Sequence, residues 1–324
     1  MSIQSEITRI GGNITSAYTA VSGKGGTLPS ARNSANLPAA INSIVAASSL
    51  PNAEANAFGT LPPPSPYIVT LTQPSGTQLA SGIFSLAVTK IKELADAIAA
   101  ESTVDNNAET VYVWVAAENG YYTISIGDQI SWTMDGTSYP YRIMGFNHYD
   151  KSDGSGKAGI LFQMVDCFNT KYPMKSEPMS SADGWGNSDL RTTLNSTLYG
   201  YLPSDVQSAI SQVTISTAQD VSTSTIVTTN DKLFVPAEVE VFGSASNAKG
   251  GTNEGVWYPW YKANNDASSR IKKFNGFADG WWERSPSYWY SNASNSYFCY
   301  VNSTGNSSYN RAAYSYGTAP CFCF

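Results

Sequence analysis

The stretch Trp281–Phe324 reads WWERSPSYWYSNASNSYFCYVNSTGNSSYNRAAYSYGTAPCFCF, and its composition decides how the rest of the chain is read. Between Ser287 and Thr318 it carries seven Tyr, eight Ser and five Asn, with Arg311 as the only charged residue. Tyr offers large, stiff, amphipathic contact area with few torsions to freeze, while Ser and Asn add short, adaptable hydrogen-bonding groups; antibody loops divide the work in the same way. A disordered Ser/Asn linker does not carry this density of aromatics, nor the alternation of Phe298-Cys299-Tyr300-Val301, which is that of a half-buried strand. The composition is that of a binding surface.

Working outward, the 324-residue chain is long enough for two or three domains and a substantial core. Hydrophobic residues make up 42% and charged residues only 14%, so uncharged polar residues fill the gap. The net charge of -6, with no Lys/Arg-rich run, argues against nucleic acid and anionic membrane as partners. No apolar stretch approaches the ~20 residues needed to span a bilayer, so membrane insertion is not expected. The start, MSIQSEITRI, lacks the basic and apolar regions of a signal peptide, which implies synthesis and folding in a cytoplasm. Cys167, Cys299, Cys321 and Cys323 lack the CxxC spacing of a zinc site and are expected as buried free thiols; Cys321 and Cys323, two apart, face the same side of a strand.

Ile3, Ile7, Ile10, Ile14, Ala17 and Val21 alternate four and three apart, the seam of a left-handed coiled coil in which Ile favours three or four strands. Gly11 and Gly12 each cost about 1 kcal/mol within such a helix, which therefore depends on a partner or packs on its own domain. The run SGKGGTLPS breaks it, and Leu37 to Ile41 restart a short helix. Residues 50–66, with Pro62-Pro63-Pro64-Ser65-Pro66, read as a stiff linker and domain boundary. Beyond it, a strand is expected at Tyr67–Thr72, a helix over about Leu86–Ala100 with Leu86, Ile91, Leu94, Ala95 and Ile98 on one stripe, and strands at Val111–Val115 and Tyr122–Ile124. A hairpin pairs Gln129–Met134 with Tyr139–Phe146 around Asp135-Gly136. Helices follow at Trp185–Tyr199 and near Ser204–Val213, the second with a Ser-Asp start as N-cap. The fold class is α+β: a helical N-terminal segment (1–49), the linker (50–66), a small α/β, β-rich middle region (67–126) and a C-terminal domain (127–324).

The N-terminal pattern SEITRIGGNITSAYTAVSGKGGTLPSARNSANLPAAINSI resembles the leading segment of phage tail and tail-fibre-associated proteins, which joins the virion. From about Gly127 onward, GNSDLRTTLNSTLY (Gly186 to Tyr199), LFVPAEVEVFG (Leu233 to Gly243), GWWERSP (Gly280 to Pro286), FCYVNSTG (Phe298 to Gly305) and GTAPCFCF (Gly317 to Phe324) resemble a bacterial and phage domain with the C-type lectin fold, related to formylglycine-generating enzymes. Within it, the Tyr/Asn/Ser-rich stretch is similar to the variable proteins of diversity-generating retroelements, whose adenine-rich codons are rewritten by mutagenic reverse transcription. The resemblance implies a variable region at about 287–318, a frame of Trp281, Trp282, Arg284, Pro286, Phe298, Cys299, Val301, Gly305, Gly317, Pro320, Phe322 and Phe324, and a presented ligand-binding set of Tyr288, Tyr290, Asn292, Asn295, Tyr297, Tyr300, Asn306, Ser308, Tyr309, Asn310, Tyr314 and Tyr316. Side-chain chemistry supports the division, since bulky apolar groups and glycines suit core strands and turns while Tyr and Asn tolerate exposure.

By the same resemblance the protein is a homotrimeric receptor-binding protein of the phage tail, located in the virion and attached by its N-terminal segment to other tail proteins. It would bind a host cell-surface receptor, protein or glycan. A structural virion decoration protein and a polysaccharide-degrading enzyme are the other readings. Trp257, Trp260, Trp281 and Trp282 read as buried aromatics ahead of sugar-stacking platforms, and Arg284 as a structural partner of the adjacent Glu283 or a donor to the tail strands. Little supports catalysis, cofactors or metals. His148 is the only histidine and no nucleophile motif accompanies it. Glu177-Pro178-Met179 departs from the calcium-lectin pattern at its third position, and the Cys residues look like inward strand positions where the formylglycine-generating relatives use a reactive pair.

Overall fold

The structure, a computed structural model, describes residues 3–23, 28–33, 35–37, 66–178, 180, 182–288 and 296–324. Contacts divide the chain into two compact units, Met1–Ser65 and Pro66–Phe324. In the first, α1 (Ile3–Gly23) is a continuous helix through Gly11 and Gly12 and runs two residues past Val21. Tyr18 and Val21 are buried with Ile14, Leu28 and Leu37 packed against them, and Tyr18 Oη donates to the Asn33 carbonyl at 2.8 Å. Two residues of the expected seam, Ile14 and Val21, thus turn to the segment that follows the helix, while Ile10 is 47% exposed. The side chains of Ile3 and Ile7 and the backbone of residues 38–41 lie outside the described residues.

The second unit is mixed α+β, with many small sheets and few helices. Its first sheet comprises β1 (Tyr67–Thr70), β2 (Thr77–Ser81), β3 (Thr110–Val115) and β4 (Gly120–Ser125) in the order β1-β3-β4-β2, with β2 parallel to β4. Strand β1 stops at Thr70, short of the expected Thr72. Helix α2 (Val88–Ala100) buries Val88, Ile91, Leu94, Ala95 and Ile98. It begins after Leu86, which is left half-buried beside the core.

A second sheet holds β5 (Gln129–Met134), β6 (Thr137–Phe146) and β7 (Ile160–Met164). Asp135 (φ 46°) and Gly136 (φ 73°) make the two-residue turn between β5 and β6, the left-handed pair that matches the twist of a tight hairpin. Short β8 (Tyr172–Pro173) follows, then a 3₁₀ turn (Trp185–Asn187) and α3 (Asp189–Thr193), which continues through a π-turn (Leu194–Leu198) into Tyr199–Tyr201. Ser188 caps α3 by accepting the Arg191 N–H, and Leu190, Leu194 and Leu198 are buried as their spacing requires.

Helix α4 (Ser204–Ala209) is shorter than expected, and its N-cap is Pro203 with no side-chain cap, so Ser204 already sits inside the helix. Val213 belongs to β9 (Val213–Asp220), which pairs with β10 (Thr223–Asp231) in a hairpin. Helices α5 (Glu238–Phe242), α6 (Pro259–Ala263) and α7 (Ala267–Arg270) precede the hairpin β11 (Lys272–Phe274) and β12 (Phe277–Asp279). The remaining strands are β13 (Trp281–Pro286), β14 (Tyr297–Val301), β15 (Ser307–Arg311), β16 (Ser315–Tyr316) and β17 (Cys321–Cys323).

One hydrophobic core runs through the whole second unit, joining residues of the 67–126 and 127–324 stretches. At its centre β17 completes the sheet β17-β7-β6-β5. Trp132 packs on Tyr141, Phe162, Phe322 and Phe324 with ring centroids 5.2, 5.4, 5.5 and 5.9 Å away. Phe322 and Phe324 are fully buried, each worth about 1.5–3 kcal/mol in apolar burial. All four cysteines are buried and free.

Candidate functional site

The stretch that opened the reading forms the sheet β13-β14-β15 and its continuation through β16 to β17. Trp281 pairs with Val301 and Trp282 with Tyr300; the register then shifts before Pro286 meets Phe298. Both indoles are fully buried with their N–H groups satisfied, Trp281 by the Arg270 carbonyl and Trp282 by the Tyr172 carbonyl, each at 2.9 Å. All twelve frame positions, from Trp281 to Phe324, are buried. Gly305 has φ +79°, and a Cβ there would fall 1.8 Å from the Ala267 carbonyl oxygen, so only glycine fits.

Of the presented set, Tyr288 is 43% and Tyr314 50% exposed. Asn306 is exposed, and Tyr297, Tyr300, Ser308, Tyr309, Asn310 and Tyr316 are half-buried; Tyr290, Asn292 and Asn295 lie outside the described residues. The register places Tyr300, Ser308 and Asn310 on one side of the sheet and Tyr297, Tyr309 and Arg311 on the other. On the first side Tyr300 stacks on Tyr316 (4.4 Å, 19°), Trp282 meets Tyr316 edge-on at 5.0 Å, and Asn310 Nδ2 donates to Tyr316 Oη at 2.7 Å. Strand β16 pairs with β8, which brings Tyr172 opposite Tyr316. On the second side Tyr297 and Tyr309 meet edge-to-face at 6.3 Å, and Arg311 reaches Glu177 at 3.1 Å. Tyr288, Asn306 and Tyr314 flank the sheet in the segments that follow β13, β14 and β15.

Residues that the sequence reading did not assign hold this sheet in place. Glu238, buried at the start of α5, accepts from the Asn247 and Ala248 N–H groups, from Asn247 Nδ2 and from Ser307 Oγ, fixing the beginning of β15. Asp183 accepts from Ser296 Oγ at 3.1 Å beside β14. Arg284 is paired with Glu240 of α5, and not with its neighbour Glu283. Its Nη1 and Nη2 donate to Glu240 Oε2 and Oε1 at 2.6 and 2.8 Å, and it also donates to the Val235 and Glu254 carbonyls and to Thr217 Oγ1. Adjacent strand residues point to opposite sides, which takes Glu283 away from Arg284.

The electrostatics follow from these contacts. Burial opposes ionisation of Glu240, but the charge and hydrogen bonds of Arg284 outweigh it and hold the carboxyl below its usual range. Glu283, fully buried with neither carboxylate oxygen hydrogen-bonded among the described residues, is pushed well above that range by burial and by Glu238, Glu254 and Glu240. Burial lifts Glu254 to about 7 against the pull of the Ala218 N–H and Arg284. On the surface, burial and Tyr300 raise Tyr316 to about 12, so it meets a ligand at neutral pH as an uncharged phenol.

Burial raises the Cys167 thiol to about 12 and Cys299 well above its ordinary value, leaving them protonated and poorly nucleophilic. Burial lowers His148 to about 4, and its Nδ1 lies 2.6 Å from Asn106 Oδ1. Among the described residues no group of three or more His, Cys, Asp or Glu is placed to hold a metal ion, and no helix is long and apolar enough to cross a membrane. Trp257 and Trp260 are half-buried, and the Arg142 guanidinium lies 4.2 Å from the centroid of the Trp260 ring.

The model of a family described as a domain of unknown function, DUF6273, matches residues 161–324, from β7 through the last strand. Comparisons with curated proteins and with solved structures found no match.

Proposed function

For this chain, which belongs to the DUF6273 family, we propose a recognition function: a phage receptor-binding protein that displays a Tyr/Asn/Ser-rich, diversified surface on a C-type lectin-like scaffold. The observation that carries the reading is the division of labour within single strands. In β14, Phe298, Cys299 and Val301 are buried while Tyr297 and Tyr300 reach the surface, and β15 pairs alongside with every residue half-exposed. Such a sheet changes its contact chemistry without changing its core. Its uncharged phenols, amides and hydroxyls recognise a partner by shape and hydrogen bonding.

In this reading the N-terminal helix attaches the protein to other tail proteins and brings three copies together. Several weak copies on one particle raise avidity by ~10² or more with no new contact. The partner is a receptor on the host surface, and no catalytic step is assigned.

Labelled full-length protein incubated with host cells tests the proposal. Wild type is expected to bind, and Tyr309→Ala combined with Tyr316→Ala is expected to lose about tenfold or more in affinity at a temperature where it is folded, with an unfolding midpoint lowered by loss of the Tyr316 contacts to Tyr300 and Trp282. Undiminished binding by the double variant would sink the surface assignment. The diversification part requires an adenine-rich near-copy of the segment encoding Trp281 to Phe324 beside a reverse transcriptase gene, with mismatches confined to adenines. Sedimentation as a monomer at micromolar concentration would remove the trimer.

A further inference from the structure

Away from the tyrosine surface, three adjoining cavities of about 400, 400 and 370 Å³ run along the second unit. The first and second share Asn106; the second and third share Glu109, Pro259 and Ala263. The shared residues set them end to end as a groove, from His148 at one end to Trp260 at the other. None of the frame or presented residues lines it.

The two ends differ in chemistry. At the first, Ala99, Val104 and Val256 supply apolar wall around His148. The 2.6 Å contact to Asn106 Oδ1 requires the proton on His148 Nδ1, which leaves Nε2 as a hydrogen-bond acceptor without a partner among the described residues. Further along, Asn107, Glu109, Thr110 and Ser125 provide amide, carboxylate and hydroxyl groups. Of the two lysines on the walls, Lys157 pairs with Asp150 at 2.9 Å, while Lys262 Nζ reaches the neutral Asn107 Oδ1 at 3.5 Å. With Glu101, Asp105 and Glu109 also on the walls, an anionic chain is disfavoured.

From this groove we infer that the protein has a second ligand site, distinct from the tyrosine surface, for a neutral oligosaccharide bearing N-acetyl groups. The acetamido methyl lies against Ala99, Val104 and Val256 with its N–H donating to His148 Nε2, and the following sugar hydroxyls exchange hydrogen bonds with Asn107, Glu109, Thr110 and Ser125. With Ala99, Val104 and Val256 at one end, Ile126, Pro259 and Trp260 at the other and amide, carboxylate and hydroxyl groups between, the walls alternate apolar and polar surface, which suits a chain of sugars, each with an apolar ring face and a rim of hydroxyls.

Calorimetric titration of the full chain with N-acetylchitotetraose, and with maltotetraose as a sugar lacking acetamido groups, tests the inference. N-acetylchitotetraose is expected to bind, and maltotetraose to bind at least about tenfold more weakly. His148→Phe keeps a ring against Tyr149 and Tyr258, whose centroids lie 4.6 and 4.8 Å away, and is expected to lower affinity about tenfold by removing the acceptor. Val256 is 61% exposed on the rim, so Val256→Trp fills the cavity without entering the core and is expected to abolish binding. Tyr309→Ala combined with Tyr316→Ala should leave the titration unchanged. No heat with either sugar, equal affinity for both, full binding by Val256→Trp, or loss of binding in the double tyrosine variant would each overturn the site. The first three results leave the receptor-binding proposal standing, since it rests on the other surface.

Discussion

Glu254 makes the pH dependence of folding a direct test of the buried carboxylate cluster. It is fully buried and lifted to about 7, whereas the same side chain in the unfolded chain titrates near 4.5. A group whose folded value is raised binds its proton more tightly when folded, so its contribution is complete below the unfolded value and is lost as pH rises through the folded one. At about 1.36 kcal/mol per unit, the full excursion is worth about 3.4 kcal/mol, of which about 2 kcal/mol falls between pH ~5.5 and ~8. Glu283, raised for the same reason, acts with the same sign. Unfolding by urea, followed by tryptophan fluorescence, should show the stability gap between Glu254→Gln and wild type widening by about 2 kcal/mol over that interval, a difference from which Glu283 and the lowered His148, which acts with the opposite sign, drop out. Glu254→Gln keeps an oxygen for the Ala218 N–H, which lies 2.9 Å from Oε1, and removes the charge. With Gln standing in for the protonated acid, the variant is expected to exceed wild type by about 1.4 kcal/mol at pH ~5.5 and by about 3.3 kcal/mol at pH ~8. A gap between Glu254→Gln and wild type that stays level or narrows from pH ~5.5 to ~8, or a variant less stable than wild type at the upper end, would refute the reasoning.

Other outcomes follow from the same contacts. Arg284→Met leaves Glu240 buried and uncompensated, and should cost about 3–5 kcal/mol in urea unfolding; adding Glu240→Gln should recover part of that loss. Gly305→Ala forces a Cβ to within 1.8 Å of a carbonyl oxygen at φ +79° and should cost at least about 2 kcal/mol, read as a lowered melting midpoint. Phe322→Ala empties a fully buried ring site and should cost about 3–5 kcal/mol. Tyr309→Ala, on half-exposed β15, should stay within about 1 kcal/mol of wild type in the same assay.

Where local pattern determines the outcome, the sequence was legible. Asp135-Gly136 can hold two left-handed residues in a row, and the hairpin forms there. The stripe through Ile91, Leu94, Ala95 and Ile98 becomes the buried face of α2. Frame and surface separate by side-chain type because Trp, Phe and Cys gain by leaving water and Tyr and Asn lose little by staying in it. What escaped depends on distance along the chain or on parity. Arg284 finds Glu240, 44 residues away, where adjacency suggested Glu283. The hairpin β9–β10 is dominated by Ser and Thr and shows few apolar alternations, although Val213 and Ile215 are buried. Tyr297 and Tyr300 are an odd number of residues apart in one strand, and so emerge on opposite sides of the sheet. The groove beside His148 draws its walls from residues 99–110, 125–126, 147–157 and 256–264, and no local motif announces such a convergence.

The bridge between Trp281 and Gly317 has a consequence for mutational tolerance. Both ends of the intervening excursion are pinned to the same core, one by the tryptophans of β13 and the other by the run into β17. The entropy of closing that loop is set by its length and anchors, not by which side chains it carries. Substitutions at its outward positions are then largely uncoupled from the free energy of the core, and their effects on stability should add independently when the sites do not touch. Tyr300 and Tyr316, stacked on each other, are the exception and should vary as a pair.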